Sequence, residues 1–287
     1  MKHLIVGIII LIALIIFLID QNNHLVISRY KYKSSKLKKD FHGYKIMQIS
    51  DLHNKDFHGR LSKKIALEKP DIIFITGDLI DASRTNFQVV KRLISQIKDI
   101  SKIYYVSGNH EHTSGEYFNV LELLKRFGVI ILDDKYLKLK RGNSEIGLLG
   151  VADPRINMNK KSYFKATADD YLKSDHKDYF NRKLRKLFEE VDTDFNILLS
   201  HRPEEIKIYS ENKLDIVFSG HAHGGQIRLP FIGGLFSPKQ GLFPKLTNGI
   251  HRINTTSMVI SRGLGNSRFP FRIFNRPEIV VLQLKSR

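Results

Sequence analysis

Eight side chains able to bind a metal or move a proton fall directly after short apolar runs: Asp51 and His53 (SDLH), Asp78 (TGDLID), Asn109 and His110 (SGNHEH), His201 (LLSH), His221 and His223 (SGHAH). Carboxylate and imidazole without thiolate suit borderline divalent ions such as Mn²⁺, Fe²⁺, Zn²⁺ or Co²⁺. The 287-residue chain contains no Cys, which excludes thiol nucleophiles, disulfide frameworks, iron–sulfur clusters and Cys-ligated zinc. These candidates exceed the four positions of one tetrahedral site, whereas two ions sharing a bridging carboxylate would use nearly all of them. Two metals about 3.5–4 Å apart are the usual device for polarising a phosphoryl oxygen and generating hydroxide near neutral pH. In Asp-X-His and His-X-His, alternate residues of an extended segment project to one side, so both can reach one cluster.

The elements that must position these residues are legible in the same places. The runs KIMQIS, DIIFIT, IYYVS, FNILLS and LDIVFS each end in a small residue just before a candidate ligand, and their Ile- and Val-rich composition predicts buried strands. Between them, Val90, Ile94 and Ile97 in 86–100, and Val120, Leu124 and Phe127 in 116–127, have helical spacing. Pro203-Glu204-Glu205 reads as a helix first turn. Alternating strands and helices predict an α/β fold with mostly parallel sheet, in which ligands gather beyond the carboxyl ends of the strands. Gly77, Gly108 and Gly220 each precede a candidate ligand, where the chain leaves its strand abruptly and backbone must come close to the ions.

The rest of the chain divides unevenly. Leu4 to Ile19 is an uninterrupted apolar run at the amino terminus, with no small-residue cleavage pattern after it, which predicts an uncleaved transmembrane anchor over residues 1–20 and location at the cell membrane. Lys2 on one flank and Arg29, Lys31, Lys33, Lys36, Lys38 and Lys39 on the other leave both orientations open. Residues 21–43 form a basic juxtamembrane segment in which 25–33 alternate as an edge strand would. Residues 44–287 fit one domain with a large core.

The blocks DLH, GD, GNHE, H and GHAH, in this order from residue 51 to 223, resemble the signature of the calcineurin-like metallophosphoesterase superfamily. The resemblance implies a four-layer α/β/β/α sandwich and two divalent ions. It places Asp51, His53 and His223 on one ion and Asn109, His201 and His221 on the other, with Asp78 bridging and His110 near the leaving group. The C-terminal part, GHAHGGQIRLP and RGLGNSRFPFRIFNRPEIVVLQL, resembles bacterial membrane-associated members, the branch that includes phosphodiesterases and UDP-diacylglucosamine-type pyrophosphohydrolases. Ala222 stands where Thr is more usual in that branch, between ligands rather than at one. The implied chemistry is in-line attack on phosphorus by a metal-bridging hydroxide, with Asp78 essential and His110 protonating the departing oxygen or stabilising its charge.

Other residues have plainer readings. His3, His24, His42, His58, His176 and His251 are expected to be ordinary core or surface histidines, and His112 a surface residue or a support to a ligand. Glu111 is expected to position the His110 loop. Asp81 is expected to support a ligand or cap a helix, and Asp153 to be structural or substrate-facing. GLG at 263–265 lacks the further pattern of a nucleotide-binding loop.

With 47 Lys plus Arg against 29 Asp plus Glu, the net charge of +18 points to anionic partners. Residues 224–277 contain no acid and eight bases: Arg228, Lys239, Lys245, Arg252, Arg262, Arg268, Arg272 and Arg276. With FIGGLF (231–236), Leu242 and Phe243, they suit an amphiphilic phosphate ester at a bilayer surface, so a lipid-linked or envelope substrate is expected. A phosphoprotein phosphatase is the nearest alternative. A basic nucleic-acid-binding membrane protein is the alternative of another class, but no recognition-helix, zinc-finger or RNP-like motif is present, and nucleic acid is not expected as a partner.

Overall fold

In the computed structural model, residues 1–154, 174–212, 214–267 and 269–287 are described, with the side chains of 174–179 left aside. His176 and Arg268, read above from sequence, therefore lie outside the described side chains.

Helix α1 (Lys2–Asn23) runs through the amino-terminal apolar segment, and its 22 residues span about 33 Å at 1.5 Å per residue. The helix is long and apolar enough to cross a membrane, and its apolar window is not buried against the body. The strands that follow are β1 (Val26–Ser34), β2 (Lys45–Ile49), β3 (Ile72–Thr76), β4 (Lys102–Val106), β5 (Ile130–Ile131), β6 (Lys135–Arg141), β7 (Ser144–Gly150), β8 (Asn196–Leu199) and β9 (Ile216–Ser219). Two small hairpins come next, β10 (Arg228–Leu229) with β11 (Gly233–Gly234) and β12 (Phe236–Ser237) with β13 (Gly241–Leu242). They are followed by β14 (Gly249–Ile253), β15 (Thr256–Ile260) and β16 (Glu278–Ser286).

The long strands form two six-stranded sheets, ordered β1-β16-β2-β3-β4-β5 and β14-β15-β9-β8-β7-β6. β2 to β5 run parallel, as do β7, β8, β9 and β15, while β16 is antiparallel to β2. The basic strand β1 is the outer strand of the first sheet, in parallel register with β16 from Val26↔Glu278 to Ser34↔Ser286.

Alternation along the strands builds four layers. Met47, Ile49, Ile73 and Ile75 face α2 (Arg60–Glu68), α3 (Phe87–Ile97) and α5 (Tyr117–Arg126), the last preceded by the short α4 (Asn109–Ser114). Their neighbours Ile46, Ile72 and Phe74 point the other way, into an apolar layer shared with Ile197, Leu199, Ile216 and Phe218 of the second sheet. From that sheet Leu198, Val217, Met258 and Ile260 face outward onto Phe180, Leu184 and Leu187 of the helix Ser174–Glu189 and onto the helix Ile206–Ser210. The period of two forces this division: one strand buried on both sides must send alternate residues into two different cores. The result is the expected α/β/β/α sandwich.

The helices follow the predicted spacing. α3 buries Val90, Ile94 and Ile97, and Asn86 caps it by accepting from the backbone N–H of Gln88 at 3.0 Å. α5 buries Val120 and Leu124. Pro203–Glu205 forms a 3-10 turn leading into Ile206–Ser210. Where the sheets meet, buried Gln48 of β2 donates to Thr76 Oγ1 of β3 and to the carbonyl of Ser219 at the end of β9, both at 2.9 Å, tying the two sets of strand ends together.

Candidate metal centre

All five strands that precede the expected ligands deliver those residues to this junction. Asp51 and His53 follow β2, Asp78 follows β3, Asn109 and His110 open α4 after β4, His201 follows β8, and His221 and His223 follow β9. The backbone of these turns is interlocked: Asp51 N–H donates to Gly77 O at 3.0 Å, His53 N–H to Asp78 O at 3.1 Å, and Gly220 N–H to His201 O at 3.1 Å. Asp51, His53, Asp78, His221 and His223 all have φ between 46 and 64°, a left-handed conformation that costs energy in a residue with a Cβ. Its clustering on five of the seven expected ligands marks a backbone shaped by what the side chains must reach. The glycines act through contact: a Cβ on Gly108 would meet Asp78 Oδ1 at 2.2 Å, and one on Gly77 (φ 88°) would meet Gly108 N at 2.6 Å and His201 Nδ1 at 2.7 Å.

The side chains converge in two groups that share Asp78. In one, ligand atoms of Asp51, His53, Asp78 and His223 lie within 4.8 Å of one another; in the other, those of Asp78, His201 and His221 do. The same oxygen, Asp78 Oδ2, is 3.7 Å from His53 Nε2 and 3.2 Å from His201 Nε2. His223 Nε2 lies 3.4 Å from Asp51 Oδ1 and 3.1 Å from His53 Nε2, and His221 Nδ1 lies 3.2 Å from His201 Nε2. His201 Nδ1 is 2.7 Å from the carbonyl of Thr76, so that nitrogen is the donor and Nε2 is turned into the cluster.

These buried groups fit a pair of divalent cations. Two imidazole pairs meet nitrogen to nitrogen, and Asn109 Oδ1 is buried with no hydrogen-bond partner among the described residues. A divalent cation seated at either pair would be held by ring nitrogens already facing it, and would give Asn109 Oδ1 a partner. The charges agree. Burial pushes the Asp51 carboxyl up; at Asp78 burial is outweighed by His201, His110 and His53, which hold it well below the usual carboxylate range. Burial opposes charge on His201, yet Asp78 and Asp51 raise it to about 10, whereas burial dominates at His221 and His223 and lowers both. The metal-free protein thus places a proton where the carboxylates require positive charge.

Supporting residues surround the groups. The buried Glu111 carboxylate accepts from the backbone N–H of Asp78 at 3.0 Å, Leu79 at 2.6 Å and Gly108 at 2.9 Å, fastening the β3 turn to the β4 turn. His110 N–H donates to Asp78 Oδ1 at 2.8 Å. The His110 ring accepts at Nδ1 from Ala82 N–H at 3.0 Å, which leaves the proton of the neutral ring on Nε2. Asp81 lies 3.7 Å from His53 Nδ1 and 4.0 Å from His110 Nδ1, and accepts from Ser83 N–H at 2.9 Å. It caps a turn, since α3 has its own cap in Asn86.

His112 is no surface residue: it is buried, 2.9 Å from Ser107 Oγ, and its ring lies against Tyr117. His3, His24, His42 and His58 are exposed and His251 half-buried, outside both groups. Sequence reasoning missed Arg202. This fully buried guanidinium pairs with Asp153 through Nε at 2.6 Å and Nη2 at 3.1 Å, and its Nη1 lies 3.3 Å from His221 Nε2. Its position next to His201 was the only signal, and Asp153 is thereby given a structural partner.

The chain belongs to the calcineurin-like phosphoesterase family, whose model matches residues 44–225. It is therefore a metal-dependent phosphoester hydrolase of a family that uses two divalent ions. Among its relatives are the uncharacterized metallophosphoesterase YkuE of Bacillus subtilis, 30% identical over 90% of this chain and 85% of that protein, and the phosphodiesterase YaeI of Escherichia coli, 26% identical over 84% and 82%. In fold it is similar to the solved structure of TT1561 of Thermus thermophilus, with a TM-score of 0.50, 13% identity, and coverage of 77% of this chain and 90% of that one.

Proposed function

We propose that the chain hydrolyses phosphodiester or pyrophosphate bonds of lipid-linked or envelope substrates, anchored by residues 1–20 in the cell membrane. Asp51, His53, Asp78 and His223 would hold one ion, and Asp78, Asn109, His201 and His221 the other. The observation that carries this reading is the single oxygen, Asp78 Oδ2, within reach of both imidazole groups. A metal pair held there supplies charge to the non-bridging phosphoryl oxygens and an activated water nucleophile. The chain's own contribution is positional. Glu111 and Arg202 fix the turns that carry Asp78 and His221, and His110, 18% exposed and the most accessible ring of the cluster, presents Nε2–H to a departing oxygen. The name of YaeI favours phosphodiesters. An apolar helix and an acid-free basic tract favour a substrate at a bilayer.

The test is metal-reconstituted full chain assayed against monoesters, phosphopeptides, diesters, nucleotide-sugar pyrophosphates and phospholipids, with Asp78→Asn as control. Diester or pyrophosphate cleavage that is lost in Asp78→Asn is expected. Preference for phosphopeptides, or a fully active Asp78→Asn, would overturn the assignment.

A further inference from the structure

The end of α1 is not a free tether. Asn22 Oδ1 accepts from the backbone N–H of Arg272 and from Asn266 Nδ2, both at 3.0 Å. Asp20 pairs with Arg276 at 2.6 Å, and Lys55 Nζ donates to the carbonyl of Asn22. Most telling is the ring of Phe274, which meets Phe17 edge-on at 5.3 Å between centroids. Phe17 lies six residues inside the end of α1, about 9 Å along its axis. If α1 spans a bilayer, Phe274 lies at the depth of its apolar residues.

The surrounding surface matches that depth. Phe269, Phe271 and Phe274 are 41%, 46% and 54% exposed, an unusual grouping of large aromatic rings in water. Ile273 bridges to Ile227, and Arg228 N–H donates to its carbonyl at 2.9 Å, which joins this segment to the hairpins carrying exposed Phe231, Ile232, Leu242 and Phe243. At the same end of α1 an open recess is lined by Ile19, Asp20, Asn23, His24, Arg60 and Lys64, which places the cations Arg60 and Lys64 near the helix end. Aromatic rings with bases at their border are the composition of a membrane interface.

The segment also reaches the metal centre. Asn275 Nδ2 donates to the carbonyl of His223 at 2.7 Å and of Gln226 at 2.9 Å. Buried Arg272 donates to the carbonyl of Gly265, whose N–H in turn bonds the carbonyl of Asp51 at 2.6 Å.

We propose that residues 269–274 form, with the end of α1, a docking surface that inserts Phe269, Phe271 and Phe274 into the interface of a phospholipid bilayer, holding the body in one fixed orientation with the His223 turn directly behind the headgroup layer. This rests on the reading of α1 as a membrane anchor. It adds that the catalytic body lies against the membrane instead of swinging beneath it.

The chain contains no Trp, so one substitution gives a unique reporter. Phe271→Trp and Phe274→Trp, each in the full chain reconstituted into phosphatidylcholine–phosphatidylglycerol vesicles, are read by emission and by quenching with lipids brominated along the acyl chain. Phe118→Trp, exposed on α5 beside β5 at the far edge of the first sheet, is the control. A blue shift and a loss of emission at 271 and 274, absent at 118, is the expected result. Quenching at 271 and 274 no greater than at 118 overturns the proposal, and Phe269→Trp supplies the reading should either variant fail to fold. Assaying hydrolysis in the same reconstituted variants separates the two proposals: quenching without hydrolysis rejects the reaction alone, and hydrolysis without quenching rejects the docking alone.

Discussion

Asp78 and His110 illustrate how neighbouring side chains of one cluster acquire different work. Asp78 is fully enclosed, with both oxygens engaged, Oδ1 by His110 N–H and Oδ2 by the two histidine groups, so it can hold charge but has no free position from which to react. His110 has a fixed tautomer and an accessible edge, and burial lowers its pKa to about 4, so at neutral pH the ring is neutral and its Nε2–H can stabilise charge on a departing oxygen by a hydrogen bond. His110→Asn should therefore keep both metals yet lose about 10²-fold or more in turnover of a diester with a poor leaving group, and much less with a good one. Equal losses on the two substrates, measured beside metal content, would remove the role at the leaving oxygen. The five block histidines and two aspartates were legible because each stands at the end of an Ile- and Val-rich run. Arg202 was not, because a guanidinium beside an expected ligand acquires meaning only when the β7–β8 connection brings Asp153 to it.

At the scale of elements, the site is a set of strand ends in close backbone contact, fastened by Glu111 and Gln48. At Gly108 this tolerance is small, since its α carbon faces the carboxylate that both histidine groups share. Gly108→Ala should displace the β3 turn, costing about 1–3 kcal/mol in stability and most of the bound metal. Metal analysis of the folded variant is the measurement, and full occupancy would show that the turn yields more easily than the contacts imply. Element identity was largely readable in advance: the runs before Asp51, Asp78, Asn109, His201 and His221 are β2, β3, β4, β8 and β9. Their distribution over two sheets was not, because the pattern of a strand buried on both faces is the same whichever strand lies beside it.

For the whole molecule, the candidate metal centre lies where two sheets meet that pack through apolar side chains and are also tied by polar contacts such as Gln48 to Ser219 and Lys36 to Asp215. Ions bound between ligands of β2 and β3 on one side and β8 and β9 on the other would hold the sandwich closed at that end, so binding energy appears as folding energy. Saturation at about 100 times Kd should stabilise the chain by about 2.7 kcal/mol. Thermal unfolding with chelator and with added Mn²⁺ should show this as a rise in Tm that is absent in Asp78→Asn; an equal rise in that variant would place the bound ions elsewhere.

The sequence by itself determined which residue types reach the site, the absence of thiol chemistry, the apolar segment at the amino terminus and the family, because metal chemistry demands particular side chains in a particular order along the chain. Only the tertiary structure decided that Asp78 is shared through one oxygen, that His112 is enclosed, that β1 closes the edge of the first sheet beside β16, and that α1 ends against Phe274 and Arg272. Each of these depends on contacts between residues far apart in the chain, whose partners no local pattern of hydrophobicity or charge can name.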